Sequence, residues 1–150
     1  MSNKVEDFLT TQDEQDIVEA IRVAELNTSG EIRVHIEKTF KGDNISIRAL
    51  ELFYALKMDN TKLQNAVLIY LAIEDKSFAI YGDKGINTVV ESNFWDTTKD
   101  LMQSYFKQGN FKQGLIEGIL KSGEQLKTYF PYLDSDTNEL TNEISKGTDL

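Results

Sequence analysis

Cysteine is absent from all 150 residues, which excludes disulfides, thiol nucleophiles and zinc–thiolate centres. Proline occurs once, at Pro131, and arginine three times, at Arg22, Arg33 and Arg48, so little in the chain is rigidified by ring or guanidinium. Such sparing use would suit a cold-living source. No apolar run approaches the roughly 20 residues that span a bilayer. Met1 to Asp7 shows no basic start followed by an apolar stretch, so no leader is expected and a cytoplasmic location follows. Basic residues are also scarce, 16 against 25 acidic, a formal net charge of −9. That sign argues against a nucleic-acid phosphate backbone, which needs clustered lysine and arginine. It is compatible with cations, basic partners or plain solubility.

What remains is ordinary globular material, 40% hydrophobic and 27% charged, long enough to bury one sizeable core. Thr11-Gln12-Asp13-Glu14 fits a capping box opening a helix with Ile17, Ile21 and Ala24 on one face. Asn27-Thr28-Ser29-Gly30 should end it. Glu31 to Glu37 alternates polar and apolar, which predicts a strand with Ile32, Val34 and Ile36 facing the core. Lys41-Gly42-Asp43-Asn44 reads as a turn, 45–58 as a helix, and 66–73 as a continuously apolar central strand. Residues 77–81 form its hairpin partner. A helix crossing between the first two strands makes them parallel, while the third runs antiparallel. Helices are expected over 91–106 and 111–129, the second carrying Gly114, Gly118 and Gly123, whose cost implies close packing against a neighbour. This gives a single α/β domain over 1–132, followed by an acidic tail over 133–150 expected to be frayed or disordered.

The motifs of familiar enzymes are missing. There is no G-x-S-x-G, H-E-x-x-H, Walker A, G-x-G-x-x-G or calcium-hand loop. His35, the only histidine, sits on the polar side of its strand between Arg33 and Glu37 and reads as an exposed strand residue. Phe94, Trp95, Phe106, Phe111, Tyr129, Phe130 and Tyr132 read as core aromatics rather than a partner groove.

An oxygen-rich corner stands out instead. The antiparallel third strand brings Gly82-Asp83 beside the start of the second, at Gln64-Asn65. The parallel first strand starts on the same edge, so Thr28, Ser29, Glu31, Asn65 and Asp83 converge from three loops. Carboxylate, amide, hydroxyl and carbonyl oxygens without sulfur are what Ca²⁺ or Mg²⁺ requires. Gly82 and Gly85 would let the backbone turn toward an ion. The competing reading is that Asp83 and Glu31 cap neighbouring helices and that Gly82-Asp83 is merely a turn.

Thr28-Ser29-Gly30-Glu31-Ile32, Asn65-Ala66-Val67-Leu68-Ile69-Tyr70, Tyr81-Gly82-Asp83-Lys84-Gly85-Ile86, Phe94-Trp95, Phe111-Lys112-Gln113-Gly114-Leu115 and Phe130-Pro131 together resemble the TPM-domain family, over roughly residues 10–132. That family is similar to the thylakoid-lumen acid phosphatases. The resemblance implies a Rossmann-like three-layer α/β/α sandwich, a small mixed sheet flanked by helices. It also implies a divalent-cation site at the acidic end of the sheet, with Asp83 the foremost ligand. The sequence departs from commoner members in lacking a leader and a membrane or Gly-rich C-terminal segment. It also has Gly-Asp-Lys-Gly where many relatives carry G-x-G-L-E. The expected function is cation binding with action through a protein partner, as a monomer, without nucleic acid or membrane insertion. The alternative is a metal-dependent acid phosphatase, in which the metal would supply the positive charge the corner lacks.

Overall fold

A computed structural model describes residues 9–40, 42–132 and 139–146. The elements run α1 (Thr11–Glu25), β1 (Glu31–Glu37), α2 (Ile45–Ala55), β2 (Ala66–Ala72), β3 (Ser77–Gly82), α3 (Lys84–Asn87), α4 (Asp96–Lys107), α5 (Phe111–Lys127) and β4 (Ser145–Lys146). They build one four-stranded mixed sheet in the order β3-β2-β1-β4. β1 pairs in parallel with both β2 and β4, and β2 pairs antiparallel with β3. Helices cover both faces, which makes the molecule a three-layer α/β/α sandwich.

On one face, Ile32, Val34 and Ile36 of β1 and Val67, Ile69 and Leu71 of β2 pack against Ile17 and Ile21 of α1 and Leu115 and Ile119 of α5. Each fully buried aliphatic side chain contributes about 1.5–3 kcal/mol of transfer free energy. The other face is smaller: Leu68, Tyr70 and Ala79 meet Ala49, Leu52 and Phe53 of α2. β2 is buried along its whole length, as a continuous apolar run requires.

Several elements differ from the sequence expectation. The capping box of α1 lies one residue earlier, with Thr10 as N-cap and Asp13 as its reciprocal partner, because aspartate at N3 reaches the N-cap amide as glutamate would. α2 stops at Ala55 rather than Met58, since Lys57 enters the left-handed region at φ 57°. α4 begins at Asp96 rather than Glu91. α5 ends two residues before the expected Tyr129. Its glycines do mark close packing: a Cβ on Gly118 would lie 2.3 Å from Met102 Sδ, and one on Gly123 2.9 Å from Ala24 Cβ.

The largest correction concerns the polar side of β1. Tyr70 and Ser145 flank His35, which is fully buried rather than exposed, and Glu31 and Glu37 are buried with it. Among the aromatics, Trp95 and Phe106 belong to the core, whereas Tyr129 and Tyr132 are each 42% exposed. The tail also contradicts its expectation over 139–146, where β4 joins the sheet edge. The predicted disorder of 133–138 and 147–150 lies outside the described residues, as does Lys41 of the expected turn. No described helix is long and apolar enough to cross a membrane.

Candidate cation site

Backbone hydrogen bonds tie the three expected loops together at one edge of the sheet. The Glu31 amide donates to Asn65 O (3.4 Å), the Asp83 amide to Ala66 O (3.0 Å), and the Gly85 amide to Gln64 O (2.8 Å). Since Glu31 also pairs with Ala66, residues 31, 66 and 83 form one row across the sheet.

The side chains sort into committed and uncommitted oxygens. Thr28 is committed: its hydroxyl donates to Phe130 O and accepts from the Gly30 amide, closing a clamp that the Ser29 amide completes on the same carbonyl. Ser29 Oγ accepts from Asn65 Nδ2 at 3.4 Å. Asp83, 1% exposed, is the N-cap of α3, and its Oδ1 accepts from the Lys84 amide at 2.7 Å. So the helix-capping reading holds for Asp83 through one oxygen. Its other oxygen, Oδ2, is buried with no hydrogen-bond partner, as are Asn65 Oδ1 and Thr61 Oγ1. An unsatisfied buried polar atom costs about 1–3 kcal/mol, so three at one loop junction call for an explanation.

Burial raises the Asp83 carboxyl above its ordinary range, and the charge of Asp59 adds to the shift. Gly85 does not bend toward an ion. It lets α3 press onto the α2–β2 loop, because a Cβ there would fall 2.1 Å from Leu63 O and 2.5 Å from Gln64 O. Gln64 in turn adopts φ 50°. Loop and turn are therefore locked together, and the three unpartnered oxygens belong to these two segments.

Glu31 faces a different set of neighbours. Its Oε1 accepts from the Glu139 amide, and Glu139 Oε2 accepts from the Lys62 amide at 2.9 Å. Glu25, at the end of α1, accepts from the Ile32 amide at 2.8 Å and interacts electrostatically with Glu31. Burial, with the charge of Glu31 behind it, pushes the Glu25 carboxyl up to about 9. Burial also raises Glu31.

Sequence reading missed Thr61, Glu25 and Glu139. Thr61 lies between the expected second helix and the central strand, Glu25 follows the apolar face of the first helix, and Glu139 lies in the expected tail. No local spacing marks any of them. Among the described residues no three of His, Cys, Asp and Glu are grouped to hold a metal. A cation here would therefore depend on amide, hydroxyl and carbonyl oxygens around few carboxylates. That donor set suits a hard ion of modest affinity.

A family model for the TPM domain matches residues 2–125. The chain belongs to the TPM domain family. It is similar to the BA42 protein of the psychrophilic bacterium Bizionia argentinensis, whose NMR structure superposes with a TM-score of 0.90 at 62% identity, over 97% of this chain and 100% of that one. The N-terminal domain of a protein from P. gingivalis shares the fold at a TM-score of 0.68 and 20% identity, over 82% of this chain and 79% of that one. The N-terminal domain of the cg2496 protein from Corynebacterium glutamicum does so at 0.62 and 14%, over 92% and 79%. No curated protein matches the chain. The loop corner of this TPM domain is thus the place where its fold gathers buried, uncommitted oxygen donors.

Proposed function

We propose that this TPM domain binds a divalent cation, Ca²⁺ or Mg²⁺, between the α2–β2 loop and the β3–α3 turn, and acts through a protein partner rather than by catalysis. The observation that carries the reading is the burial of Asp83 Oδ2, Asn65 Oδ1 and Thr61 Oγ1 without partners. A hard cation would satisfy all three and would offset the desolvation of the Asp83 carboxylate. Ser29 and Glu31 border this position.

The alternative, phosphomonoester hydrolysis, gains no support from the charges. Arg48 is engaged by Glu37 and Arg22 by Glu19, while at the corner the charge of Lys84 acts on Asp83 against that of Asp59, with Glu31 and Glu139 also at this edge. A phosphoryl group would meet carboxylates there. Amide chemical shifts during Ca²⁺ and Mg²⁺ titrations test the binding. Changes should concentrate at 28–31, 61–65 and 82–85, and Asp83→Asn should abolish them. Silence at those loops in millimolar cation would sink the proposal. Turnover of p-nitrophenyl phosphate that is lost in Asp83→Asn would replace it with the hydrolytic reading.

A further inference from the structure

The two edges of the sheet are finished differently. On the β1 side, β4 pairs with His35 and Ile36, and Glu25 accepts from the Ile32 amide. β3 forms the other edge. The Asp83 amide donates to Ala66 O, so in this antiparallel ladder Tyr81–Leu68 and Ala79–Tyr70 are the hydrogen-bonded pairs and the residues between them are not. The N–H and C=O groups of Phe78, Ile80 and Gly82 therefore point away from β2. Asn87 Nδ2 donates to the Gly82 carbonyl at 3.0 Å, and the others have no hydrogen-bond partner among the described residues.

Nothing in the strand blunts this row. Proteins protect a free edge with proline, charge or a bulge. β3 contains neither proline nor charge, and its register with β2 runs unbroken from Ser77 to Gly82. There is also surface for side chains on both sides of the edge. On the α2 side, Tyr54 interacts with Tyr81 and is 44% exposed, while Leu50, one turn earlier, is 37% exposed. On the other side, a cavity of about 390 Å³ lined by Asn87, Val90, Glu91, Ser92 and Trp95 adjoins Gly82. Lys76 and Lys84 stand at the two ends of the strand, both exposed and neither in a salt bridge among the described residues. The acidic residues beside them are engaged or enclosed: Glu74 by Lys38, Asp75 by the Phe40 amide, and Asp83 by burial.

We infer that the β3 edge docks an extended segment of another protein, uncharged in its middle and acidic at its ends, which adds to the sheet as a further strand. Main-chain groups form the ladder, alternate side chains meet Leu50 and Tyr54 or the cavity beside Gly82, and the acidic ends answer Lys76 and Lys84. The inference takes up the partner in the reading proposed above, gives it a surface, and does not depend on the cation.

Titration of the full-length protein with the capped peptide Glu-Val-Thr-Ile-Thr-Val-Glu, in chelator and again in Ca²⁺, tests this by amide hydrogen exchange. With peptide at about ten times its Kd, the Phe78 and Ile80 amides should slow at least about fivefold, whereas Ala79 and Tyr81, already bonded to β2, should change less than about twofold. N-methylation of alternate peptide residues distinguishes a ladder from apolar adhesion. One of the two alternate sets should weaken binding at least about tenfold and the other less than about threefold. No binding at about 1 mM, or any other pattern, overturns strand addition. The same peptide with lysine ends should bind at least about fivefold more weakly, and equal binding overturns the acidic partner. Self-association that protects Phe78 and Ile80 without peptide would give the edge to a second copy instead. If β3 responds to peptide in chelator while the corner loops stay silent to Ca²⁺, the edge stands and only the cation reading falls. The reverse result removes the edge and leaves the cation site.

Discussion

Two polar regions lie at opposite ends of β1, one around Glu37 and the other around Glu31 and the neighbouring Glu25 and Asp83, and they are built differently. At the far end of β1, Glu37 receives a fork from Arg48 at 3.0 and 2.6 Å and a 2.5 Å hydrogen bond from Tyr70, with the ring of His35 stacked on that tyrosine. Burial opposes ionisation of Glu37, but the contacts from His35, Arg48 and Tyr70 outweigh it and hold its carboxyl well below the usual range. At the near end, burial prevails: Glu25, Glu31 and Asp83 are all raised, and three oxygens have no partner. Both regions bury carboxylates, but only one brings cationic and hydroxyl donors to meet them. The Glu37 carboxylate is met on all sides, although His35 Nε2 beside it has no hydrogen-bond partner; at the other end a carboxylate oxygen itself is left open, which costs stability and favours a ligand.

Removing a donor from the satisfied end should break the comparison most sharply. Arg48→Met leaves the buried Glu37 without its fork and should cost about 3 kcal/mol, roughly 10 °C in Tm, with no rescue by cation. Thermal unfolding with and without Ca²⁺ reads both effects. At the unsatisfied end the order reverses. The wild type should gain about 2.7 kcal/mol from cation at 100 times Kd. Asp83→Asn should match or exceed wild-type stability without cation and gain nothing when it is added. Urea titrations of the two proteins decide this, and a cation gain that survives the substitution would contradict the corner assignment.

The smallest expected effect is on pH dependence. Glu25 keeps its proton in the folded protein up to about pH 9 but loses it near 4.5 when unfolded. The folded state therefore binds more protons between those values, and stability should fall as pH rises through that window. Glu25→Gln should flatten that decline between pH 5 and 8, read by thermal unfolding across the window. Glu37 acts in the opposite sense. Its contribution is present above the ordinary carboxylate range and disappears on acidification, so it should account for the remaining acid sensitivity in Glu25→Gln.

The parts of this protein legible in sequence are those set by local periodicity. Alternation over Glu31–Glu37 placed Ile32, Val34 and Ile36 correctly, and the apolar run from Ala66 fixed a central strand. Strand directions followed from connection lengths, and with them the convergence of Thr28, Ser29, Glu31, Asn65 and Asp83 at one edge. Periodicity cannot say whether the polar side of a strand faces water or another helix. For Glu37 the deciding neighbour is Arg48 of α2, eleven residues further along the chain, and for His35 it is Ser145 of β4. Nor can composition separate a polar tail from one that returns: Ser145 and Glu139 find partners more than a hundred residues away. By itself, then, the sequence determined that a mixed sheet would gather oxygen donors at one corner, because side-chain period and chain connectivity are local properties. Tertiary structure alone decided which of those oxygens are consumed and which are left open, because hydrogen-bond satisfaction depends on neighbours supplied by distant parts of the chain.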